Sequence, residues 1–402
     1  MPRACGPLIE YRQVLKNERK KLALITNYIP YYRWPVLRAV GSSRNIELTC
    51  YCTRKCDLSH MSDSVDFIVK AARGITLKKK NSYSDLGVTY IDRYDIPVFL
   101  PFQLLLARPD IIVSGNMGPV SFLAMLSAKI MRVPFVVWTE ETRHTATTIT
   151  RAQRILRNLI LPRVDGVLAW GEPAFEYIKD KVPFNSKIYY CSQAVDNEWW
   201  ASKSRESSPK EFRASLGLKG RVFLVVGRLI EGKGVDLFLK AWASLDPKIT
   251  STNSILIVGD GDKKMELESL ADGLGIKNIS FVGNRSREEL PVVYASSDVF
   301  VFPSLVDVWG MVVNEAMACG LPVLGSRYAG ATIELVSDSK NGETIDPLDI
   351  PSFADAISRW LERSLPDRED ISKSILGYNY SMSVMSIRSM VHDLSVEGSG
   401  AG

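Results

Sequence analysis

Short runs of β-branched and other apolar residues alternate with amphipathic stretches along the whole chain. In the first half the apolar runs predict strands over Leu22–Thr26, Ile46–Cys52, Val88–Asp92, Ile111–Ser114, Phe135–Trp138, Gly166–Ala169 and Ile188–Cys191. Helical periodicity falls between them, over Tyr31–Val40, Pro119–Met131, Ile149–Leu161 and Pro173–Lys181. In the second half strands are expected over Val222–Val226, Ile255–Val258, Ile279–Val282, Val299–Phe302 and Pro322–Gly325. Helices are expected over Gly234–Leu245, Lys263–Leu274, Arg287–Ala295, Val312–Cys319 and Ser352–Arg363. Strands separated by helical patterns of roughly 10–15 residues are the mark of parallel βαβ units. Runs such as LVVG and LIVG show no polar alternation, so they read as central strands buried on both faces.

The pattern therefore predicts an α/β chain of two doubly wound, Rossmann-like sheets. A first domain is expected over residues 1–200 and a second over 201–380, with the polar stretch Ser202 to Lys210 as the linker. After Ser381 a helix with apolar positions Val384, Ile387, Met390, Val391 and Leu394 is expected to pack back across the seam. Residues 397–402 (EGSGAG) read as a disordered tail.

Composition agrees with this picture and narrows it. The 402 residues are 46% hydrophobic and 24% charged, which excludes a largely disordered chain and supports sizeable cores. The net charge of +5 is too small to imply nucleic acid. Its distribution is uneven, with 28 Lys/Arg against 18 Asp/Glu in residues 1–200 and 22 against 27 in the remainder. A basic half joined to a slightly acidic one fits an anionic ligand, or an anionic membrane surface, met mainly by the first half.

Cys5, Cys50, Cys52, Cys56, Cys191 and Cys319 show no paired spacing, which fits a reducing compartment rather than a disulfide scaffold. Cys50 and Cys52 share one strand face, and His60 is the only histidine near them, too few ligands for zinc. The segment Lys16 to Lys21 (KNERKK) has no long apolar run behind it, so no secretory leader is expected. Ile96 to Ala107 is too short and too broken by proline to span a bilayer. The expectation is a cytoplasmic protein whose membrane contact, if it has any, is peripheral on the inner face. Ile149 to Arg163 carries four arginines beside an apolar stripe. That pattern serves an interfacial helix or, as expected here, a helix packed on the sheet with its arginines exposed.

In open α/β sheets ligands bind beyond the carboxyl ends of the strands. The first such turn of the second half reads VVGRLIEGKGVDLFLKA, Val225 to Ala241. Gly227 follows the strand, and Lys233 sits between Gly232 and Gly234 at the start of a helix, whose free N–H groups suit an anion. The run resembles a P-loop but ends in Gly234 where a P-loop NTPase needs Ser or Thr for magnesium. Arg228 and Lys233 therefore read as a metal-free diphosphate clamp. Asp260 and Asp262 tempt a metal reading, but a turn with Asp262 as helix N-cap explains them more simply.

The segment Phe302 to Ser326, FPSLVDVWGMVVNEAMACGLPVLGS, places Asp307 in a loop and Glu315 in the helix that follows. Two carboxylates on one ligand accept hydrogen bonds from vicinal hydroxyls, as sugar or ribose recognition requires.

This stretch resembles the retaining, nucleotide-sugar-dependent glycosyltransferases of family 4. Those enzymes carry two acidic residues separated by seven positions, followed by EAMACGLPV, matched here by Asp307, Glu315 and Ala316 to Val323. Their phosphate-binding Arg and Lys after the VVGRL strand correspond to Arg228 and Lys233. Similarity continues through Val258–Gly261, Phe281–Asn284, Tyr294–Ser304 and Ser326–Val336, covering nearly all of residues 220–350.

The resemblance implies the GT-B fold, two Rossmann-like domains facing across a cleft. It also implies a glycosyltransferase that moves a sugar from a nucleoside diphosphate sugar to an acceptor hydroxyl with retention of configuration, in polysaccharide or glycolipid biosynthesis. Glycan and lipid-linked acceptors both fit, and base selectivity among UDP, GDP and ADP rests on backbone contacts outside these motifs. No cofactor or metal is expected, because Arg228 and Lys233 neutralise the leaving diphosphate. Glu315 would meet the ribose, Asp307 the transferred sugar, and the backbone of Asn284 and Arg285 the base. Gly227, Gly310 and Gly330 would let the backbone approach the donor. Asp307 stands where the family more often has Glu, one methylene longer.

The first half resembles the family less. Asn27 to Leu37 (NYIPYYRWPVL) is similar to a PYR-type variant of the family's first loop, which points to Arg33 for a phosphate or acceptor group. Val136 to Thr145 (VVWTEETRHT) leaves a strand with Glu140 at the cleft rim beside the reacting sugar, Glu141 and His144 being alternates. Asn116, in the SGNMG turn, is a further acceptor-side position. Competing readings are a GT-B epimerase or phosphorylase, or a non-catalytic sugar-nucleotide-binding protein.

Overall fold

The computed structural model describes residues 19–54, 66–83, 88–115 and 117–397. Cys5, Cys56, His60, Asn116 and the tail from 398 onward lie outside the described residues. Two parallel sheets, each sandwiched between layers of helices, form the molecule. In the first, β1 (Lys20–Thr26), β2 (Ile46–Cys52), β3 (Ile68–Ala71), β6 (Ile111–Gly115), β7 (Phe135–Thr139), β8 (Gly166–Trp170) and β9 (Lys187–Cys191) lie in the order β3-β2-β1-β6-β7-β8-β9. In the second, β10 (Val222–Val226), β11 (Ser254–Val258), β12 (Ile279–Phe281), β13 (Val299–Phe302), β14 (Val323–Ser326) and β15 (Gly342–Ile345) run β12-β11-β10-β13-β14-β15. The strand order reverses at β1/β6 and at β10/β13. Those two switch points are where a doubly wound sheet opens a crevice.

Both sheets bury both faces. Leu22 and Leu24 of β1 enter one core layer, and Ala23 and Ile25 the opposite one. Val222, Leu224 and Val226 of β10 likewise separate from Phe223 and Val225. Cys50 and Cys52 point into the same layer as Leu22, as their spacing predicts.

Four expectations need correction. Val88–Asp92 does not join the parallel sheet. It lies in β5 (Val88–Ile96), paired antiparallel with β4 (Ile75–Tyr83) as a separate ribbon. A connection too short for a crossover helix permits only the antiparallel arrangement.

The polar stretch Ser202 to Lys210 is not a linker. Asn197–Glu206 and Pro209–Ser215 are helices, the first capped by the Asp196 carboxylate accepting from the Trp199 N–H at 3.0 Å. Buried Trp200 anchors it against Tyr294, edge to face. The chain crosses between domains just upstream, and it returns beside that point, where Asn197 Nδ2 donates to the carbonyls of Ile375 and Tyr378.

Asp262 is not an N-cap. The helix Lys264–Gly273 is preceded by Lys263 in helical backbone without a side-chain cap. Asp260 instead accepts from the adjacent Gly261 N–H. Glu397 is not tail but the last residue of the final helix, Tyr380–Glu397.

That helix packs on the first domain. Val384, Ile387, Met390, Val391 and Leu394 are buried with Leu22, Val36 and Leu48, and Ser383 Oγ donates to the Ser192 carbonyl at 2.9 Å. The chain thus runs first domain, second domain, first domain. Among the described residues no helix is long and apolar enough to cross a membrane, and no group of three His, Cys, Asp or Glu is placed to hold a metal ion.

Candidate active site

The two switch points face each other across a cleft of about 490 Å³. Its second-domain wall is built by the turns after β10 and β13, which contribute Gly227, Arg228, Lys233, Asp307, Gly310 and Glu315. The first domain contributes Tyr28, Tyr31, Tyr32, Glu140 and Gln193.

The turn after β10 leads into the helix Val235–Ala243 through Gly234, whose φ is 67°. A Cβ there would lie 2.0 Å from the Pro303 carbonyl oxygen, so only glycine lets the β10 and β13 turns close on each other. Gly234 and Gly310 are the N-caps of Val235–Ala243 and Met311–Ala318, and neither helix start has a side-chain cap. Two N-terminal partial positive charges therefore meet the cleft uncapped. Arg228 is exposed at the same edge.

Lys233 Nζ donates to Asp307 Oδ2 at 2.6 Å, while Asp307 Oδ1 accepts from the Trp309 N–H at 3.3 Å. Both charged side chains are about four-fifths buried, 21% and 18% exposed. Asp307 is further tied by a bridge to Ala329.

Glu315 lies at the cleft floor and is 2% exposed. Its carboxylate accepts from Tyr31 Oη at 2.7 Å and from Tyr294 Oη at 2.9 Å. Burial pushes its pKa up to about 7, against the two tyrosine hydrogen bonds and the Arg287 charge, which pull it down. Tyr31 comes from the first domain, so this carboxylate is one of the bonds joining the domains. Burial beside Glu315 raises the Tyr31 hydroxyl well above the ordinary phenol range.

On the facing wall Glu140 accepts from Arg33 Nη2 at 2.6 Å, and the same nitrogen donates to Gln193 Oε1 at 2.7 Å. Arg33 is 4% exposed, with its guanidinium carbon 3.4 Å from the centre of the Trp170 ring. It is therefore not the open acceptor-side cation its loop suggested. Ring stacking and two hydrogen bonds, one of them strengthened by charge on both partners, commit it to holding Glu140.

The alternates to Glu140 point elsewhere. Glu141 pairs with Arg157, and burial raises its pKa. His144 Nε2 contacts the Leu305 carbonyl at 2.9 Å across the domain seam and packs on Tyr328.

Three donor-side positions do not line this cleft. Arg285 turns to Glu289 at 3.2 Å, and Asn284 is exposed on the neighbouring loop. Gly330 backs the Asp307 loop instead: a Cβ there would sit 2.4 Å from the Val308 carbonyl oxygen. Its lack of a side chain thus serves loop packing.

Tyr31, Tyr32, Tyr294, Gln193 and Trp309 are site residues that sequence reasoning passed over. The PYYR run carried a signal for the first two, since aromatic residues straight off a central strand of such a sheet must face its crevice. Trp309 Nε1 donates to Asn314 Oδ1 at 2.7 Å, and Asn314 Nδ2 donates to the Gln193 carbonyl at 3.1 Å, a relay that spans the seam.

Residues 208–375 match the family Glycosyl transferases group 1. The chain is 29% identical over 281 residues to a sulfoquinovosyl transferase of Arabidopsis thaliana, covering 67% of this chain and 52% of that protein. It is 33% identical over 186 residues to the D-inositol 3-phosphate glycosyltransferase of Mycolicibacterium smegmatis, covering 44% and 41%. The chain thus spans about half the length of these curated relatives. Among solved structures it superposes on Anabaena HepE in complex with UDP with a TM-score of 0.71, at 18% identity over 93% of this chain and 100% of that one. A sucrose-phosphate synthase from Thermosynechococcus elongatus gives 0.68, at 19% identity over 94% and 100%. The architecture is that of these GT-B glycosyltransferases.

Proposed function

We propose that this chain, which carries a glycosyl transferases group 1 domain over residues 208–375, transfers a sugar from a nucleoside diphosphate sugar to an acceptor hydroxyl. The observation that carries the reading is the second-domain wall of the cleft. There Arg228, Lys233 and two uncapped helix N-termini gather positive charge on the same wall as a buried carboxylate, Glu315. A donor lying on that wall finds cations for its diphosphate and an acceptor for its ribose hydroxyls. HepE has been solved with UDP-glucose, which supports placing a nucleotide sugar in the equivalent crevice.

In this reading Lys233 exchanges its bond to Asp307 for one to the diphosphate, and the freed Asp307 carboxylate receives a sugar hydroxyl. Tyr31 gives up Glu315 to the ribose. As the glycosidic bond lengthens, negative charge grows on the leaving diphosphate, and Arg228, Lys233 and the helix N-termini stabilise it in place. Fixed donors of this kind cost little reorganisation at the moment of reaction. The acceptor enters along the first-domain wall, where Glu140, held by Arg33, accepts a hydrogen bond from its hydroxyl. Departure of the diphosphate and approach of the hydroxyl on the same face of the sugar give retention, the hydroxyl proton passing to the departing diphosphate oxygen.

The test is transfer itself. The chain is incubated with UDP-, GDP- and ADP-sugars in EDTA, with and without glycan and lipid-linked acceptors. Release of a nucleoside diphosphate dependent on acceptor, with the product anomer matching the donor's, is expected. Acceptor-independent donor conversion, or product of the opposite anomer, contradicts the proposal.

A further inference from the structure

Three helices of the first domain, Leu100–Ala107, Pro119–Met131 and Arg151–Ile160, lie side by side over one face of its sheet. Their inward residues, among them Leu104, Met125 and Ile160, fill the core layer beneath. A helix so placed ordinarily gives its outer face to polar residues. These three do not. Phe102, Leu106, Ile130 and Ile155 are 63%, 71%, 72% and 61% exposed, and Phe99, at the start of the first helix, is 62% exposed. Exposed apolar side chains of this size, spread over adjacent helices, mark an interaction surface.

The charge carried by these three helices and their caps is of one sign. Val98–Arg108, Pro119–Arg132 and Arg151–Arg163 together contain seven Lys or Arg and no Asp or Glu. Arg157 turns inward to Glu141, and Lys129 reaches Asp165 at 3.3 Å. Arg108, Arg132, Arg151, Arg154 and Arg163 are exposed.

We infer that this three-helix face docks on an anionic lipid bilayer. Large apolar side chains among five exposed arginines, with Asp165 already paired to Lys129, are the composition that inserts at a headgroup boundary and neutralises anionic lipid. A second copy of the chain fits poorly, because a two-fold contact would set this cationic face against itself. The helices Leu100–Ala107, Pro119–Met131 and Arg151–Ile160 lead into the amino ends of β6, β7 and β8, so Leu106, Arg108, Ile130, Arg132 and Arg163 gather at the end of the first domain away from the cleft. The inference stands on this surface alone and is independent of the proposed reaction.

Sedimentation of the full chain with vesicles tests it. Vesicles of phosphatidylcholine alone are compared with vesicles in which about a third of the lipid is phosphatidylglycerol. Binding to the anionic vesicles only, weakened by salt, is expected. Arg151→Glu with Arg154→Glu should lower the partition coefficient by at least about five-fold per arginine. Phe102→Asp with Leu106→Asp should abolish binding while leaving the melting temperature unchanged, since both side chains are exposed. Failure to bind either vesicle, or equal binding by both double variants, overturns the inference. So does a chain that is dimeric in solution and becomes monomeric on Phe102→Asp with Leu106→Asp, which assigns the face to a second copy. Nucleotide binding measured on the same preparations reports separately on the cleft.

Discussion

The two halves share one strand order and build the cleft in different ways. In the second half the cleft residues are consecutive in sequence with the strands that aim them: Arg228 and Lys233 follow β10, and Asp307 and Glu315 follow β13. Fixing the strand register fixes the site. In the first half the wall is assembled from residues far apart in the chain. Glu140 follows β7, but it is held by Arg33, 107 residues earlier, which Gln193, after β9, in turn fixes. The first half also carries the antiparallel ribbon and borrows its last helix from the far end of the chain. The lesson is that a site made of local turns can be transferred among relatives by motif. One made of long-range pairs depends on the whole domain.

The largest effect expected from breaking this contrast is on the local side. Lys233→Ala and Glu315→Gln should each lower kcat/KM for transfer by roughly two to three orders of magnitude, the scale of removing one transition-state electrostatic partner. Their melting temperatures should stay near that of the parent. Steady-state kinetics beside a thermal melt checks both, and an equally large loss of stability would move these residues from chemistry to folding.

On the long-range side the expectation reverses. Arg33→Ala strands Glu140 and Gln193 and removes the Trp170 stack, so it should destabilise the fold by about 3 kcal/mol, within the range for breaking a buried ion pair. Urea unfolding measures it. Donor binding should change far less than stability.

A pH titration sharpens the contrast further, because Glu315 is the second-half residue that the first half touches. Its carboxylate must be ionised to accept ribose hydroxyls, and burial places its pKa at about 7. Nucleotide affinity should therefore be full above about pH 7 and fall by up to about tenfold per unit below it. Glu315→Gln should flatten the profile. For the unliganded fold the sign is opposite: a carboxyl raised above its ordinary range stabilises below that range, and the contribution is lost as pH rises through about 7.

The smallest effect should come from Tyr31→Phe. The Tyr31 hydrogen bond favours the ionised form of Glu315, so its removal should move the midpoint of that profile upward by less than about one unit.

How much of this was legible beforehand follows the same division. Val222–Val226 and Val299–Phe302 have the predicted ends, because continuous apolar runs between glycine and proline turns leave little room for another reading. The second-domain cleft residues fall where their turns place them. The strands β3 and β15 escaped notice because they are short edge strands, and β4 because its lysines mask the alternation. The Ser202 to Lys210 stretch misled because its polar face looks like a linker, while the tryptophans that anchor the helix lie just before it. Arg33 misled for a related reason. A cation in a cleft loop reads as ligand-facing, and nothing local announces that Glu140, Gln193 and Trp170 converge on it. Asn284 and Arg285 do not line the cleft, and Arg285 turns to Glu289 instead.

The central claim is that the second-domain wall holds a nucleoside diphosphate without a metal. Isothermal titration of the chain and of Lys233→Ala with UDP, GDP and ADP, all in EDTA, tests it most directly. The account predicts that one of the three binds the parent chain and protects it from thermal unfolding, by about 2.7 kcal/mol at a hundredfold excess over Kd. It also predicts that Lys233→Ala loses most of that affinity. Equal binding by the two proteins, or no binding of any of the three to the parent chain, would contradict it.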